Sequence, residues 1–350
     1  MTEDVFPLMD EWGPEKVVCV SDRRSGMRGV LVLDNTARGM GKGGTRMSPT
    51  LTVREVTRLA RTIRNEVPAE YVFGLDMGLT ERDAAVFLYE LGDRGAAVGL
   101  PRELGGLPYD ELGVTGFGVA EAADAAAIGS GWQLAGSRVA IQGFGAVGEA
   151  AARRFVELGA TVVAISTAVG AVHDPDGLDV SRLSGLRAEA GDGCVREYGN
   201  VQPADRALSA PADVLVPAAR EDVIDEGVAL ATTARLVVEG ANLPSTGRAR
   251  EILAERGIPV VPDFIANAGG IVAAAHSMDM RYSPFRVDRD DVFSMVSTKL
   301  RANATAVLGE AKRTGQTPHT AAQRLAQERV LAAMRLRGQA PIDVVPELMS

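Results

Sequence analysis

The chain has 350 residues, room for two domains of ordinary size, and its 37 basic against 46 acidic side chains leave a formal charge of −9. That balance argues against nucleic acid or an anionic membrane as the main partner, since either needs a basic face to release counterions or meet headgroups. With 46% hydrophobic and 24% charged residues the composition is that of a globular chain, not a disordered one. The longest run free of Asp, Glu, Lys and Arg, from Leu158 to His173, is glycine-broken and shorter than the ~20 apolar residues of a membrane helix. Glu3 and Asp4 stand where a signal peptide would begin its apolar core, so the expectation is a cytoplasmic protein. Two cysteines, Cys19 and Cys194, and three histidines, His173, His276 and His319, show no disulfide or metal-ligand spacing. Lysine is scarce: Lys16, Lys42, Lys299 and Lys312 are the whole complement, so lysine chemistry has few candidates.

In chain order, Lys16 to Val20 and Arg28 to Asp34 read as β-rich runs, followed by a glycine-rich loop from Gly39 to Gly44. From Thr52 the spacing of Val53, Val56, Leu59, Ala60 and Ile63 predicts a helix, with Thr52 and Glu55 as a capping box and Pro68 beyond its end. Asp83 to Leu91 and Gly118 to Ile128 are predicted as further helices. The middle of the chain then alternates. Strands are expected at Arg138 to Gln142, Thr161 to Ser166, Val214 to Val216, Leu236 to Glu239 and Pro259 to Val261. Helices are expected at Ala146 to Leu158, Asp222 to Ala229 and Thr246 to Arg256. Short apolar strands with intervening helices imply a parallel, doubly wound sheet covered on both faces. Beyond Gly270, amphipathic stretches near Val287 to Gly315 and Pro318 to Leu336 predict long helices.

The strand Val139-Ala-Ile-Gln142 runs into Gly143-Phe-Gly145-Ala-Val-Gly148 and then a helix. This is the context a dinucleotide fingerprint requires: a tight turn at Gly143, backbone approach to a pyrophosphate at Gly145, close helix packing at Gly148, and N–H donors at the helix start. Gly143, Phe144, Gly145, Ala146, Val147 and Gly148 are therefore candidate cofactor-binding residues. NAD-selecting sites usually place Asp or Glu about 20 residues on, at the end of the second strand. Here Ser166 and Thr167 stand in that place, and no arginine adjoins them, so NAD and NADP both remain open.

Several separated stretches carry a resemblance over nearly the whole chain. They are Asp34-Asn-Thr36 with Gly43-Gly-Thr-Arg-Met-Ser-Pro49, Phe73-Gly-Leu-Asp-Met-Gly78, Thr115-Gly-Phe-Gly118, Pro217-Ala-Ala219, Glu239-Gly-Ala-Asn242 and Pro262-Asp-Phe-Ile-Ala-Asn-Ala-Gly-Gly270. On these the sequence resembles the glutamate/leucine/phenylalanine/valine dehydrogenases, which oxidatively deaminate amino acids with NAD(P). The resemblance implies that Asp76 is the catalytic carboxylate, although an Asp between loop glycines is also a common turn residue. It implies cofactor contacts at Thr115, Ala218, Ala219 and Asn242, with Asn267 on the substrate side. Lys42 and Gly44 match a substrate-binding position; Lys42 meets a side-chain carboxylate in glutamate-specific members, and as a bare loop residue it would simply be solvated. Ala274 stands where a serine would share that carboxylate, which implies an apolar or mixed pocket.

One departure bears on the chemistry. Family members carry, between the Gly-Gly-x-Arg signature and the catalytic aspartate, one lysine that holds the α-carboxylate and another that drives proton transfer. In this chain Arg46 and Asp76 are only 30 positions apart with no lysine between them, which reads as an internal deletion of the segment carrying both. Loss of a proton-transfer group commonly costs 2 to 4 orders of magnitude in rate, roughly 3 to 5 kcal/mol. Arg46, Arg61 and Arg64 can grip a carboxylate, but arginine does not act as a base near neutral pH, and Arg61 and Arg64 read more simply as an exposed helix face.

The expected fold class is α/β, a Rossmann-type doubly wound parallel sheet plus a second α/β substrate domain. The expected boundaries are 1–114 for the N-terminal part of the substrate domain, 115–267 for the NAD(P)-binding domain, and 268–350 for helices returning to the first. The expected activity is NAD(P)-dependent deamination of an L-amino acid to a 2-oxo acid and ammonia by a homo-oligomer, with no metal, nucleic acid or membrane. The alternative is a dehydrogenase-like dinucleotide-binding protein with impaired catalysis and a regulatory or changed role.

Overall fold

The computed structural model describes residues 6–21, 28–37, 41–45, 71–75, 81–82, 84–85, 98–279 and 288–337. Strands β1 (Lys16–Ser21) and β2 (Arg28–Leu33), both valine-rich, pair antiparallel with Lys16 opposite Leu33. Strands β3 (Gly41–Thr45) and β4 (Tyr71–Leu75) pair in parallel, from Gly41 opposite Tyr71 to Thr45 opposite Leu75. The expected loop at Gly39 to Gly44 is therefore corrected to strand from Gly41 onward. Three glycines hide the strand signal, and a β-prone partner reading Tyr-Val-Phe supplies the ladder. The expected helix from Thr52 lies outside the described residues, and of Asp83 to Leu91 only Ala84 and Ala85 are described, both helical.

From residue 98 the chain runs through a single turn α1 (Tyr109–Leu112) into α2 (Val114–Gly129), strand β5 (Arg138–Gln142), α3 (Ala146–Glu157), β6 (Thr161–Thr167) and β7 (Gly170–His173). Helices α4 (Val180–Ala190), α5 (Cys194–Tyr198) and α6 (Arg206–Ser209) precede β8 (Val214–Pro217), α7 (Glu226–Ala231), β9 (Leu236–Val238), α8 (Gly247–Glu255) and β10 (Val260–Val261). Four helices finish it: α9 (Asp263–Ala266), α10 (Gly269–Asp279), α11 (Arg289–Thr314) and α12 (Pro318–Leu336). The chain divides into two compact units. One comprises Met1–Pro108, Ala274–Val287 and Arg324–Ser350; the other comprises Tyr109–Ala273 and Asp288–Gln323.

The second unit is built on a six-stranded sheet of order β10-β9-β8-β5-β6-β7. All neighbours are parallel except β7, which folds back antiparallel on β6. One face buries Ala140, Val163, Leu215 and Val237 against Ile224, Ile252 and Leu253. At roughly 25 cal/mol per Å² of apolar surface, such burial is the main stabilising term. Helix α2 starts at Val114, four residues ahead of the expected Gly118, and is buried almost all round, so no amphipathic stripe marks its start. A Cβ at Gly116 would fall 2.1 Å from the Val147 carbonyl oxygen, and one at Gly118 would fall 2.4 Å from Leu300 Cδ2. The Thr115-Gly-Phe-Gly118 stretch thus lets α2 seat directly on α3 and α11.

An ionic cluster joins the same three helices. The Glu121 carboxylate, 2% exposed, accepts from Arg154 Nε at 2.9 Å and Nη2 at 2.7 Å, from Ser297 Oγ at 2.5 Å and from Arg301 Nη1 at 3.2 Å. The expected helix at Asp222 to Ala229 begins instead at Glu226. Asp225 is its cap, accepting from Val228 N at 2.9 Å, while Ile224 bridges to Ser245. Between 168 and 213 the sequence suggested no elements, yet the structure has one strand, three α-helices and a 3-10 turn at Gly191–Gly193 there.

In the first unit Asp34-Asn-Thr36 is a fastening. Asn35 Nδ2 donates to Trp12 O at 2.9 Å, Thr36 Oγ1 donates to Glu15 Oε2 at 2.8 Å, and Arg337 Nη1 donates to Thr36 O at 3.0 Å. Ala37 packs beside them against Val330 and Met334 of α12. Among the described residues, no helix is long and apolar enough to cross a membrane.

Candidate dinucleotide site

From β5 the chain crosses to β6 on one side and later returns to β8 on the other, which puts the switch point at the carboxyl ends of β5 and β8. Open α/β sheets bind ligands at that point. Gly143, the residue after β5, has φ +96°, a conformation that side chains resist, and a Cβ there would lie 2.7 Å from Ala219 Cβ. A Cβ at Gly148 would fall 1.8 Å from the Gly143 carbonyl oxygen, so the helix can lie this close only without one. Gly145 is the N-cap of α3 with no side-chain cap, and a Cβ there would meet nothing within 4 Å. The first-turn N–H groups and the open space over Gly145 form a cradle that fits a pyrophosphate. Ala146 is exposed and Val147 half-buried at its edge, whereas the Phe144 ring is 1% exposed and serves packing, leaving only its backbone to a ligand.

Ser166 and Thr167 are buried, and their hydroxyls already have partners. Gly143 N–H donates to Ser166 Oγ at 3.2 Å, and Thr167 Oγ1 donates to the Asp192 carbonyl at 2.8 Å. The Asp192 turn thereby reaches the end of β6. Arg187 pairs there with Asp192 at 3.2 Å and with Glu149 of the first turn of α3 at 3.6 Å. Sequence reading missed this trio, because its members are spread over 149–192 and the two later ones fall in the stretch without recognised elements.

A row of hydrogen bonds crosses the strand ends. Ala218 N–H donates to Gln142 O at 2.7 Å and Ala219 N–H to Gln142 Oε1 at 3.3 Å. Gly240 and Ala241 N–H both donate to Pro217 O, at 3.0 and 2.9 Å. Asn242 follows, and its Oδ1 accepts from Asn267 Nδ2 at 2.8 Å. Thr115 packs against the chain just beyond Asn267: a Cβ at Gly270 would lie 2.9 Å from its Oγ1. Beneath the asparagine pair lie two buried carboxylates, Glu239 and Asp263, each 1% exposed. Burial, followed by the charge of Asp263, pushes the Glu239 carboxyl up to about 8. Burial also raises Asp263, against the hydrogen bonds it accepts and the nearby Arg250. His319, edge-on to Phe264, is pushed down to about 4 by burial and then by Arg250.

The structure thus gathers Thr115, the glycine turn, Ser166, Thr167, Ala218, Ala219, Asn242 and Asn267 along one edge of the second unit's sheet. Lys42, Gly44 and the buried Ala274 belong to the first unit. Lys42 stands opposite Val72 and Gly44 opposite Gly74. Asp76, next in sequence after β4, lies outside the described residues, as do Arg46, Arg61 and Arg64.

A sequence profile described as Glutamate/Leucine/Phenylalanine/Valine dehydrogenase matches residues 105–338. The chain belongs to this dehydrogenase family. It is 36% identical over 316 residues to the NADP-specific glutamate dehydrogenase of Saccharolobus shibatae, covering 86% of this chain and 74% of that protein. With the NAD-specific glutamate dehydrogenase of Staphylococcus aureus it shares 32% identity over 318 residues, 87% of this chain and 76% of the relative. Among solved structures, the Leu-bound hetero-hexameric glutamate dehydrogenase from Thermus thermophilus superposes with a TM-score of 0.79 at 27% identity, over 96% of this chain and 93% of that one. The 316 positions aligned with the Saccharolobus relative outnumber the residues in 86% of this chain, so that dehydrogenase has residues without a counterpart here.

Proposed function

We propose that the chain binds NAD or NADP and belongs to the reaction class that deaminates an L-amino acid to a 2-oxo acid and ammonia. The carrying observation is the uncapped start of α3 at the switch point, with Gly143, Gly145 and Gly148 shaped as the fingerprint demands, in a chain of this family. Gly145, Ala146, Val147 and Gly148 hold the pyrophosphate. Ser166 and Thr167 brace the turn from β6, and Thr115, Ala218, Ala219, Asn242 and Asn267 line the nicotinamide side. When bound, the nicotinamide accepts the hydride from the substrate Cα.

On the substrate side, Asp76 is the general base, Lys42 with Gly44 the anchor, and Ala274 part of an apolar wall. Relatives are named as glutamate dehydrogenases, but Ala274 favours a less acidic side chain. We place the protein in the cytoplasm as a homo-oligomer. The test is NAD(P)H formation across a panel of L-amino acids with each cofactor, beside a cofactor-binding measurement. Reduction of either cofactor by any amino acid supports the reading, and no reduction at high substrate overturns it.

A specific observation favours a second reading. No lysine lies between Arg46 and Asp76, so the ammonium groups that would clamp the α-carboxylate and move protons have no source in that segment. On this reading the chain binds dinucleotide without deaminating and acts as a regulatory partner. It predicts tight NAD(P)H binding with no turnover, and turnover once a lysine-bearing segment is inserted between Arg46 and Asp76.

A further inference from the structure

We propose that Asp263 and Glu239 are positioning residues that fix the nicotinamide side of the crevice, acting through the asparagines of two separate segments. The proposal rests on the crevice binding a dinucleotide. Asp263 Oδ2 accepts the Leu243 N–H at 2.6 Å, and its Oδ1 accepts the N–H of Phe264 at 2.8 Å. Its own N–H donates to Glu239 Oε2 at 3.0 Å, and its carbonyl accepts from Asn267 N at 2.8 Å. One aspartate therefore ties the end of β9, the loop after Asn242 and the start of α9. The residues it fixes, Leu243 and Asn267, adjoin or carry the two side chains that meet at 2.8 Å.

Leu243 makes the need for such a tie visible. Its φ of +51° is a left-handed conformation that a leucine adopts only when its surroundings insist. The Asp263 carboxylate takes the Leu243 N–H while the Asp222 N–H holds the Leu243 carbonyl at 3.0 Å, and of the two only the first reaches into the crevice wall. Whether Asn242 faces Asn267 depends on the peptide this bond holds.

The two carboxylates divide the work. Two like charges buried together cannot both persist. Asp263, with two N–H donors and Arg250 of α8 nearby, is the better anion. Glu239 keeps the proton, with one N–H bond on Oε2 and the Ser245 hydroxyl beside its carboxyl. His319 of α12, beside Phe264, is uncharged near neutral pH. A neutral Glu239 therefore supports an ionised Asp263.

The test compares NADH, NADPH and ADP-ribose affinities, by calorimetry on the full chain, with thermal unfolding measured in parallel. Asp263→Asn turns one acceptor oxygen into a donor and sets it against a backbone N–H. It is expected to weaken whichever of NADH and NADPH binds by about 10-fold while ADP-ribose, which lacks the nicotinamide, stays within about 2-fold. Glu239→Gln keeps the neutral shape, so near pH 7 its affinities stay within about 2-fold of the parent. Leu243→Gly in the Asp263→Asn background removes the conformational strain and recovers part of the loss. Unchanged dinucleotide affinity in Asp263→Asn, or an equal loss of ADP-ribose, overturns the proposal and leaves dinucleotide binding standing. A parent chain that binds none of the three overturns the binding reading itself. If Asp263→Asn does not fold, Glu239→Ala replaces it with an expected loss of about 3-fold for the dinucleotide alone, and no loss there is equally decisive.

Discussion

Glu121 and Glu239 are buried to nearly the same degree in the same unit, 2% and 1% exposed, yet their acidities move in opposite directions. Burial alone would raise both. At Glu121 the Ser297 hydroxyl and the guanidinium groups of Arg154 and Arg301 outweigh it and hold the carboxyl below its ordinary range. At Glu239 the nearby acid adds to burial, and the carboxyl rises to about 8. Partners decide the charge, and the charge decides the role. The ionised Glu121 rivets three helices, while the protonated Glu239 sits under the crevice, where a second full charge would have no counterion.

The largest expected break in this contrast is Glu121→Ala. It strands Arg154 and Arg301 and is expected to cost about 3 kcal/mol in urea unfolding, the low end for a broken buried pair because both arginines are partly exposed. A loss under about 1 kcal/mol would mean the cluster is ornamental. The second prediction concerns pH. Glu121 has a folded pKa below its unfolded one, so its stabilisation is present at neutral pH and is lost as pH falls through the carboxylate range. Glu239 has a folded pKa above its unfolded one, so stability is fullest below about 4.5 and declines as pH rises to about 8. Glu239→Gln should remove that decline, gaining on the parent by on the order of 1 kcal/mol per pH unit between pH 5 and 8. Parallel stability curves for variant and parent would refute the assignment. The smallest effect belongs to Arg301→Ala, about 1 kcal/mol, because Arg154 and Ser297 still hold Glu121.

The cofactor turn was legible because its signal is local: an apolar strand, three glycines at fixed offsets and an amphipathic helix. The Glu239–Asp263 pair was not, although both residues lie in the quoted motifs. Only the parallel pairing of β9 with β10 brings carboxylates from two strand ends into register. Helix α7 illustrates a local ambiguity. Asp222 and Asp225 are equally good caps by sequence, and the bridge from Ile224 to Ser245 selects the second. The stretch between β6 and β8 escaped because α5 and α6 are short and α4, although capped locally where Asp179 Oδ1 accepts the Arg182 N–H at 2.9 Å, buries only Val180 and Leu183 and so shows no apolar stripe. Helix α2 was under-read for the opposite reason: a helix buried on every side has no period to detect.

The parallel pairing of β3 with β4 sets a length rule. Because both strands run the same way, the chain leaving Thr45 must travel back the whole strand length before entering Tyr71. Five residues of strand span ~17 Å, so a helical return needs at least ~11 residues plus two reversals of direction. Residues 46–70 supply 25 positions, about 14 beyond that minimum for the two reversals. The tether can be lengthened freely but shortened only down to that floor, and an engineered graft carrying lysines has two fixed landing points, Thr45 and Tyr71.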